Sequence, residues 1–247
     1  MSAAVPAGDV ALARHVAETA GRMLLDLQRS GRFEGRALGA AGDRMANAFI
    51  IETLRTHRPG DAILSEEEKD DAARLAARRV WVVDPLDGTR EYSEARTDWA
   101  VHVALSIDGA PAHGAVALPG LSLSFCSGRP AAVPVNRGPL RMLVSRTRPA
   151  REALAVAEAL GAELVPMGSA GAKAMAVVRG EADIYLHTGG QYEWDNCAPA
   201  AVALAAGLHV SRVDGSPLRY NRPDTYLPDL LICPKPLVAR ILSALGS

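Results

Sequence analysis

The chain has 247 residues, 49% hydrophobic and 22% charged, with a formal net charge of -1 and a pI near 6.6. That supports one large domain or two small packed ones, and argues against disorder, a nucleic acid polymer as partner and charge-driven membrane binding. Cys126, Cys197 and Cys233 are odd in number and widely spaced, which fits a reducing cytoplasm better than a disulfide framework or a zinc site. Met1 to Asp9 lacks a basic stretch followed by an apolar one, and no run approaches the ~20 apolar residues of a transmembrane segment, so a cytoplasmic protein is expected.

In chain order, Asp9 is placed to cap a helix whose apolar residues Ala13, Val16, Ala17, Ala20, Met23, Leu24 and Leu27 share one face, stopping before Gly31. A glycine-rich loop is expected through Gly31, Gly35, Gly39 and Gly42, with Asp43 opening a second helix. From Val80 to Val135 the texture becomes short β-branched runs, at 80–83, 99–107, 114–118 and 122–126. The dipeptide Asp108-Gly109 signals a hairpin, and an antiparallel sheet is expected. Beyond a seam near Pro139, strands at 140–145, 182–186 and 230–233 alternate with helices at 150–160, 169–179 and 195–206. Gly161, Gly180 and Gly207 stop these helices, and a terminal helix follows.

The chemistry concentrates at Trp81-Val82-Val83-Asp84-Pro85-Leu86-Asp87-Gly88-Thr89, where an apolar strand delivers two carboxylates to a sheet end. The hexapeptide alone is equally a surface turn. Upstream, Glu66 follows the apolar Ile63-Leu64, and downstream Asp195 stands at a helix start. Read singly, the acids from Glu66 to Asp71 are a solvated face and Asp195 is a helix cap. Read together, they are a set of hard oxygen ligands suited to Mg²⁺, substrate phosphate and a hydrolytic reaction. Gly88 and Thr89, if they open a helix, direct backbone N–H groups at a phosphate. His102 and His113, with no carboxylate flanking them at ligand spacing, read as core or face histidines. The chain has no Gly-Lys-Ser/Thr phosphate loop, dinucleotide fingerprint or Gly-x-Ser-x-Gly elbow.

Asp84-Pro-Leu-Asp-Gly-Thr89, with Leu64-Ser-Glu-Glu67 before it and Glu193-Trp-Asp195 after it, resembles the signature set of the inositol monophosphatase superfamily. Val144-Ser-Arg146, Gly168-Ser169 with Lys173, and the segment from Gly215 to Asn221 resemble its 3'(2'),5'-bisphosphate nucleotidase branch, in particular the actinobacterial CysQ type. The resemblance implies an α/β protein in five layers, α-β-α-β-α, with an α+β half at 1–137 and an α/β half at 138–247. It implies that Glu66, Asp84, the Leu86 carbonyl, Asp87 and Asp195 hold two or three Mg²⁺ ions. Asp43 and Thr89, with Glu66, would activate the attacking water.

Ser169 and Lys173 match residues that grip substrate phosphate, beside Asp87, Gly88, Thr89 and Asp195. The serine-to-lysine spacing is one residue longer than usual, and Lys173 reads equally as a solvated lysine. His187 stands where many nucleotidases carry a phosphate-holding arginine, and Tyr226-Leu-Pro-Asp229 replaces an expected Asn-Pro segment. The implied activity is hydrolysis of the 3'-phosphate of 3'-phosphoadenosine 5'-phosphate, with its phosphosulfate analogue as a further substrate, in sulfate assimilation. Lithium inhibition and a homodimer come with the resemblance. Inositol or fructose phosphates are the rival substrates, and a non-catalytic metal and nucleotide binding module is the rival class.

Overall fold

The strand that ends in the acidic motif is apolar on both faces, and such a strand needs cover on both sides of its sheet. In the computed structural model, which describes residues 6–246, it is β2 (Arg79–Asp87). Of the stretch Met1 to Asp9 considered above, residues 1–5 lie outside the described residues. Trp81 and Val83 enter one core, Val80 and Val82 the other. With β1 (Ala62–Ser65), β3 (Ala100–Ile107), β4 (Ala110–Leu118) and β5 (Leu123–Cys126), β2 forms a five-stranded sheet in the order β1-β2-β3-β4-β5.

The expected antiparallel sheet is in fact mixed, because β1 runs parallel to β2 while the remaining pairs are antiparallel. The connection from 66 to 78 is long enough to return the chain to the same end before β2 begins. Between β3 and β4 the hairpin forms as expected: Asp108 and Gly109 have φ of 51° and 75°, and two positive φ values match a tight right-twisted turn.

Two helices, α1 (Asp9–Arg29) and α2 (Gly35–His57), cover the outer face of this sheet. The expected loop from Gly31 to Gly42 is corrected: the helix is already under way at Gly35, and Asp43 lies well inside it rather than at its cap. Gly39 and Gly42 serve close packing. A Cβ on Gly39 would stand 2.7 Å from both Thr89 Cγ2 and Ser93 Oγ, and one on Gly42 would stand 3.0 Å from Leu24 and Tyr92. Each glycine costs about 1 kcal/mol of helix propensity, and in return α2 lies directly against the acidic motif. Asp9 likewise is not the cap of α1; Gly8 is, and Asp9 pairs with Arg58 and Arg79.

The second sheet comprises β6 (Arg141–Ser145), β7 (Glu163–Met167), β8 (Ile184–Tyr192), β9 (His209–Ser211) and β10 (Tyr226–Cys233), in the order β7-β6-β8-β10-β9. The sequence pattern did not reveal β7 and β9, which are short edge strands, β7 largely exposed, with little apolar signal. Helices α4 (Arg151–Leu160) and α7 (Val238–Leu245) cover its outer face.

Between the sheets lie α5 (Ala170–Val178) and α6 (Glu193–Ala205). They share one core with Val80, Val82, Ala100 and Ala104 of the first sheet and Leu143, Tyr185, Leu230 and Ile232 of the second. The five layers are therefore α-β-α-β-α. The middle layer sits close to the first sheet at Gly114, where an added Cβ would meet the Ala198 carbonyl oxygen and Ala201 Cβ, each at 2.8 Å. Neither obstacle is a flexible side-chain end. Gly114→Val should therefore push α6 away and destabilise the protein by about 1–3 kcal/mol. A urea unfolding curve should show a lower midpoint at unchanged slope.

Candidate active site

Alternation along β2 directs Asp84 toward the middle helices, on the face of Val80 and Val82, opposite His102 in register on β3. The pairing shifts between Asp84 and Asp87, so both carboxylates reach the same region. Leu86 buries its side chain in the α1/α2 core, and its carbonyl accepts from Thr89 Oγ1 at 3.1 Å. Gly88, at φ 88°, makes a left-handed turn into the short helix α3 (Thr89–Ser93). Asp84, Asp87 and Asp195 each offer an oxygen within 4.8 Å of the others.

Asp195 is not the cap of α6, as expected, but its third residue. Its carboxyl reaches back to accept from the Tyr192 N–H at 2.6 Å, the reverse arm of a capping box. Glu66 follows β1 directly, and its N–H continues the ladder to the Val83 carbonyl at 3.2 Å. That places its carboxyl beside that of Asp84. Asp43 projects from α2 toward Thr89, close enough for the Thr89 hydroxyl to act on its acidity. All six residues quoted from the motifs thus meet at the end of β2.

The two carboxylates of the hexapeptide have opposite environments. Burial, followed by the charges of Glu66, Asp87 and Asp195, drives Asp84 well above the usual carboxylate range. Burial acts on Asp87 in the same direction but is outweighed. The charge of His102, 3.2 Å away, and hydrogen bonds from the Ser169 hydroxyl and the Gly171 N–H hold Asp87 at about 2. Asp87 also accepts from the Ala170 N–H at 3.1 Å.

Loss of water with neighbouring negative charge raises Asp43, Glu66 and Asp195 to about 7 each. Glu66 is exposed as a residue, but its carboxyl end is crowded by Asp84, Asp43, Asp87 and Glu67. Such crowding of hard oxygen donors in a place stripped of water fits a divalent cation such as Mg²⁺.

Beside the carboxylates a cavity of about 380 Å³ opens, lined by Arg90, Arg146, Arg148 and Lys173 with Glu91 as its acidic member. Ser169 lines the cavity and also donates its hydroxyl to Asp87. Lys173 is not a solvated lysine but a buried one. Its Nζ donates to the carbonyls of Gly168 at 2.9 Å and Ser169 at 2.7 Å, above the Tyr185 ring. An ammonium has three N–H donors, so one is left for the cavity. His187 does not line it. Burial and the charges of Lys173 and Arg148 push His187 down to about 4, and its Nε2 faces the Gly189 carbonyl at 2.7 Å. It is neutral at pH 7 and carries no charge to a phosphate.

The sequence reading did not show the contacts by which several residues assemble the site, and it passed over Asp98 altogether. His102 does have a carboxylate partner, contributed by another strand: its Nε2 lies 3.2 Å from Asp87 Oδ2. Strand alternation already put His102 on the face of Ala100 and Ala104, yet only the register shows what it meets. Glu193, fully buried, accepts from the N–H groups of Asn221 at 2.7 Å and Arg222 at 2.8 Å, so the segment from Gly215 to Asn221 secures the start of α6. Arg146 pairs with Glu91 and Glu94 across the seam, and Asp98 accepts from the Gly168 N–H at 2.8 Å.

The chain matches the inositol monophosphatase family over residues 7–245. It is 53% identical over 240 residues to the 3'-phosphoadenosine 5'-phosphate phosphatase of Mycobacterium leprae, covering 91% of this chain and 89% of that protein. It is 31% identical over 199 residues to the 3'(2'),5'-bisphosphate nucleotidase CysQ of Escherichia coli, covering 76% and 81%. The crystal structure of CysQ from Bacteroides thetaiotaomicron, a member of the inositol monophosphatase family, superposes with a TM-score of 0.79 at 25% identity, covering 89% and 94%.

The crowding of carboxylates has a measurable consequence. Asp43, Glu66 and Asp195 retain protons in the folded protein up to about pH 7, whereas in the unfolded chain they release them near pH 4. Between these values the folded state binds more protons, so stability falls as pH rises. In chelator the melting temperature should be higher at pH 5.5 than at pH 7.5, and Mg²⁺ should restore it at pH 7.5. A metal-free melting temperature that rises over this interval contradicts the assigned environments.

Proposed function

The chain belongs to the inositol monophosphatase family, and we propose that it hydrolyses 3'-phosphoadenosine 5'-phosphate to AMP and phosphate. The observation that carries this reading is the cationic cavity beside the carboxylate cluster. A substrate with two phosphates places one at the carboxylates and the other among the cations, whereas an inositol monophosphate leaves those cations unmatched. The names of the relatives point to the same substrate.

In this reading Glu66, Asp84, the Leu86 carbonyl, Asp87 and Asp195 hold Mg²⁺. When bound, the metal supplies Lewis-acid charge to the phosphoryl group and to the attacking and leaving oxygens. Thr89 Oγ1 orients the attacking water, and Asp43, raised to about 7, accepts its proton; a base with that pKa is matched to neutral pH. Glu66 serves as a ligand and, beside Asp43 and Thr89, helps to activate the attacking water. The water oxygen bonds to phosphorus, the bond to the ribose 3'-oxygen breaks, and that oxygen takes a proton from solvent to become a hydroxyl, while Asp43 passes the proton it accepted back to solvent. Ser169, Lys173 and the start of α3 at Gly88 and Thr89 steady the phosphate, while Arg90 and Arg148 take the 5'-phosphate. His187, neutral and outside the lining of the cavity, takes no phosphate in this reading.

The same reading extends to two or three Mg²⁺ ions, Li⁺ inhibition, a homodimer, and work on a cytoplasmic by-product of sulfate assimilation. Phosphate release should be faster from 3'-phosphoadenosine 5'-phosphate than from inositol 1-phosphate or fructose 1,6-bisphosphate. Equal or faster turnover of the sugar phosphates would sink the nucleotide assignment. Asp84→Asn and Thr89→Ala should each lower kcat by about 10²–10⁴-fold with the fold intact by circular dichroism. Arg148→Ala should raise KM for the bisphosphate nucleotide roughly tenfold, as expected for one lost charge-assisted contact. It should leave KM for inositol 1-phosphate nearly unchanged.

A further inference from the structure

His102 is fully buried in β3, yet both its polar contacts come from outside that strand. Nδ1 lies 3.1 Å from the carbonyl oxygen of Trp194, the residue before Asp195, so Nδ1 carries the hydrogen. Nε2 lies 3.2 Å from Asp87 Oδ2, at an angle too bent for a full hydrogen bond. The other groups that hold Asp87, namely the Ser169 hydroxyl and the N–H groups of Ala170 and Gly171, all come from the start of α5. A single imidazole thus reaches one proposed metal ligand directly and the backbone adjoining another.

The packing around the ring is as specific as its contacts. A Cβ on Gly171 would stand 2.1 Å from His102 Nε2, so the start of α5 lies flat against the imidazole only because residue 171 has no side chain. A histidine that merely filled the core would have no reason to connect these parts. Here the first sheet, the start of α5 and the start of α6 meet on its ring.

We propose that His102 is a positioning residue that sets the separation of Asp87 and Asp195 across the seam between the first sheet and the middle helices, and thereby the affinity of the site for a divalent cation. This rests on the reading that Asp84, Asp87 and Asp195 hold metal. Groups that orient ligands in this way typically carry about 10–100-fold in metal affinity or activity.

The test is titration calorimetry of Mn²⁺ into the chelator-treated full chain, together with unfolding midpoints in chelator. His102→Leu, which removes both contacts, should weaken Mn²⁺ binding by about 10–100-fold. His102→Gln, which can still reach Asp87, should recover part of that loss. Gly171→Ala, which keeps every ligand and the imidazole but displaces the ring, should weaken binding in the same direction, and it decides the matter should His102→Leu not fold. A purely structural histidine would lower the unfolding midpoint and leave the Mn²⁺ affinity of the folded protein unchanged; that result in His102→Leu or Gly171→Ala overturns the proposal. Wild-type protein that binds no Mn²⁺ at all would instead remove the metal-site reading on which it rests.

Discussion

The position of the middle helices depends on one buried carboxylate. Asp87 stands at the end of β2 in the first sheet, and its two oxygens take the Ser169 hydroxyl and the N–H groups of Ala170 and Gly171, which open α5. Helix starts present unpaired N–H groups with partial positive charge, so a carboxylate there is satisfied and kept ionised. With His102 beside the same oxygen that accepts from Ser169 and Gly171, Asp87 remains charged down to about pH 2. Asp84, three residues earlier, accepts from the Leu86 N–H at 3.1 Å, and burial with the charges of Glu66, Asp87 and Asp195 still drives it in the opposite direction. A divalent cation resolves that conflict, because it neutralises several of these carboxylates at once.

Other contacts secure the same seam. Asp98 accepts from the Gly168 N–H, and Arg146 reaches from the end of β6 to Glu91 and Glu94 near α3. On the far side, buried Arg74 pairs with Asp70 and bonds Asn221 Oδ1 and the Arg222 carbonyl, while Asn221 and Arg222 donate to buried Glu193. This chain of bonds links the stretch after Glu66 to the turn before Asp195. Partly buried charged pairs of this kind add little net stability, because desolvation and solvent screening offset much of their attraction. What they contribute here is position: each fixes a segment that carries a proposed ligand or a wall of the phosphate cavity.

How much of this could be read in advance varied with the physical scale of each signal. The end of β2, the Asp108-Gly109 hairpin, and the helices closed by Gly161 and Gly180 follow from local rules, since turn conformations and helix stops are decided by a few adjacent residues. Gly39 and Gly42 misled, because a glycine used for helix packing looks in sequence like a glycine used for a turn; the difference is Thr89, Ser93 and Tyr92, about fifty residues away. The same applies to Lys173. Nothing beside it in sequence shows that the carbonyls of Gly168 and Ser169 and the Tyr185 ring will enclose it.

By itself the sequence determined the inventory of the site: which carboxylates stop at strand and helix ends, with the proposed roles of Asp43 and Thr89 added by the family resemblance. Those are properties of short motifs and their order along the chain. Only the tertiary structure decided the environments. It separated Asp84 from Asp87 in acidity, buried Lys173, neutralised His187, and brought His102 between Asp87 and the Trp194 carbonyl. Acidity depends on burial and on charges a few ångströms away, and those neighbours come from segments far apart in the chain.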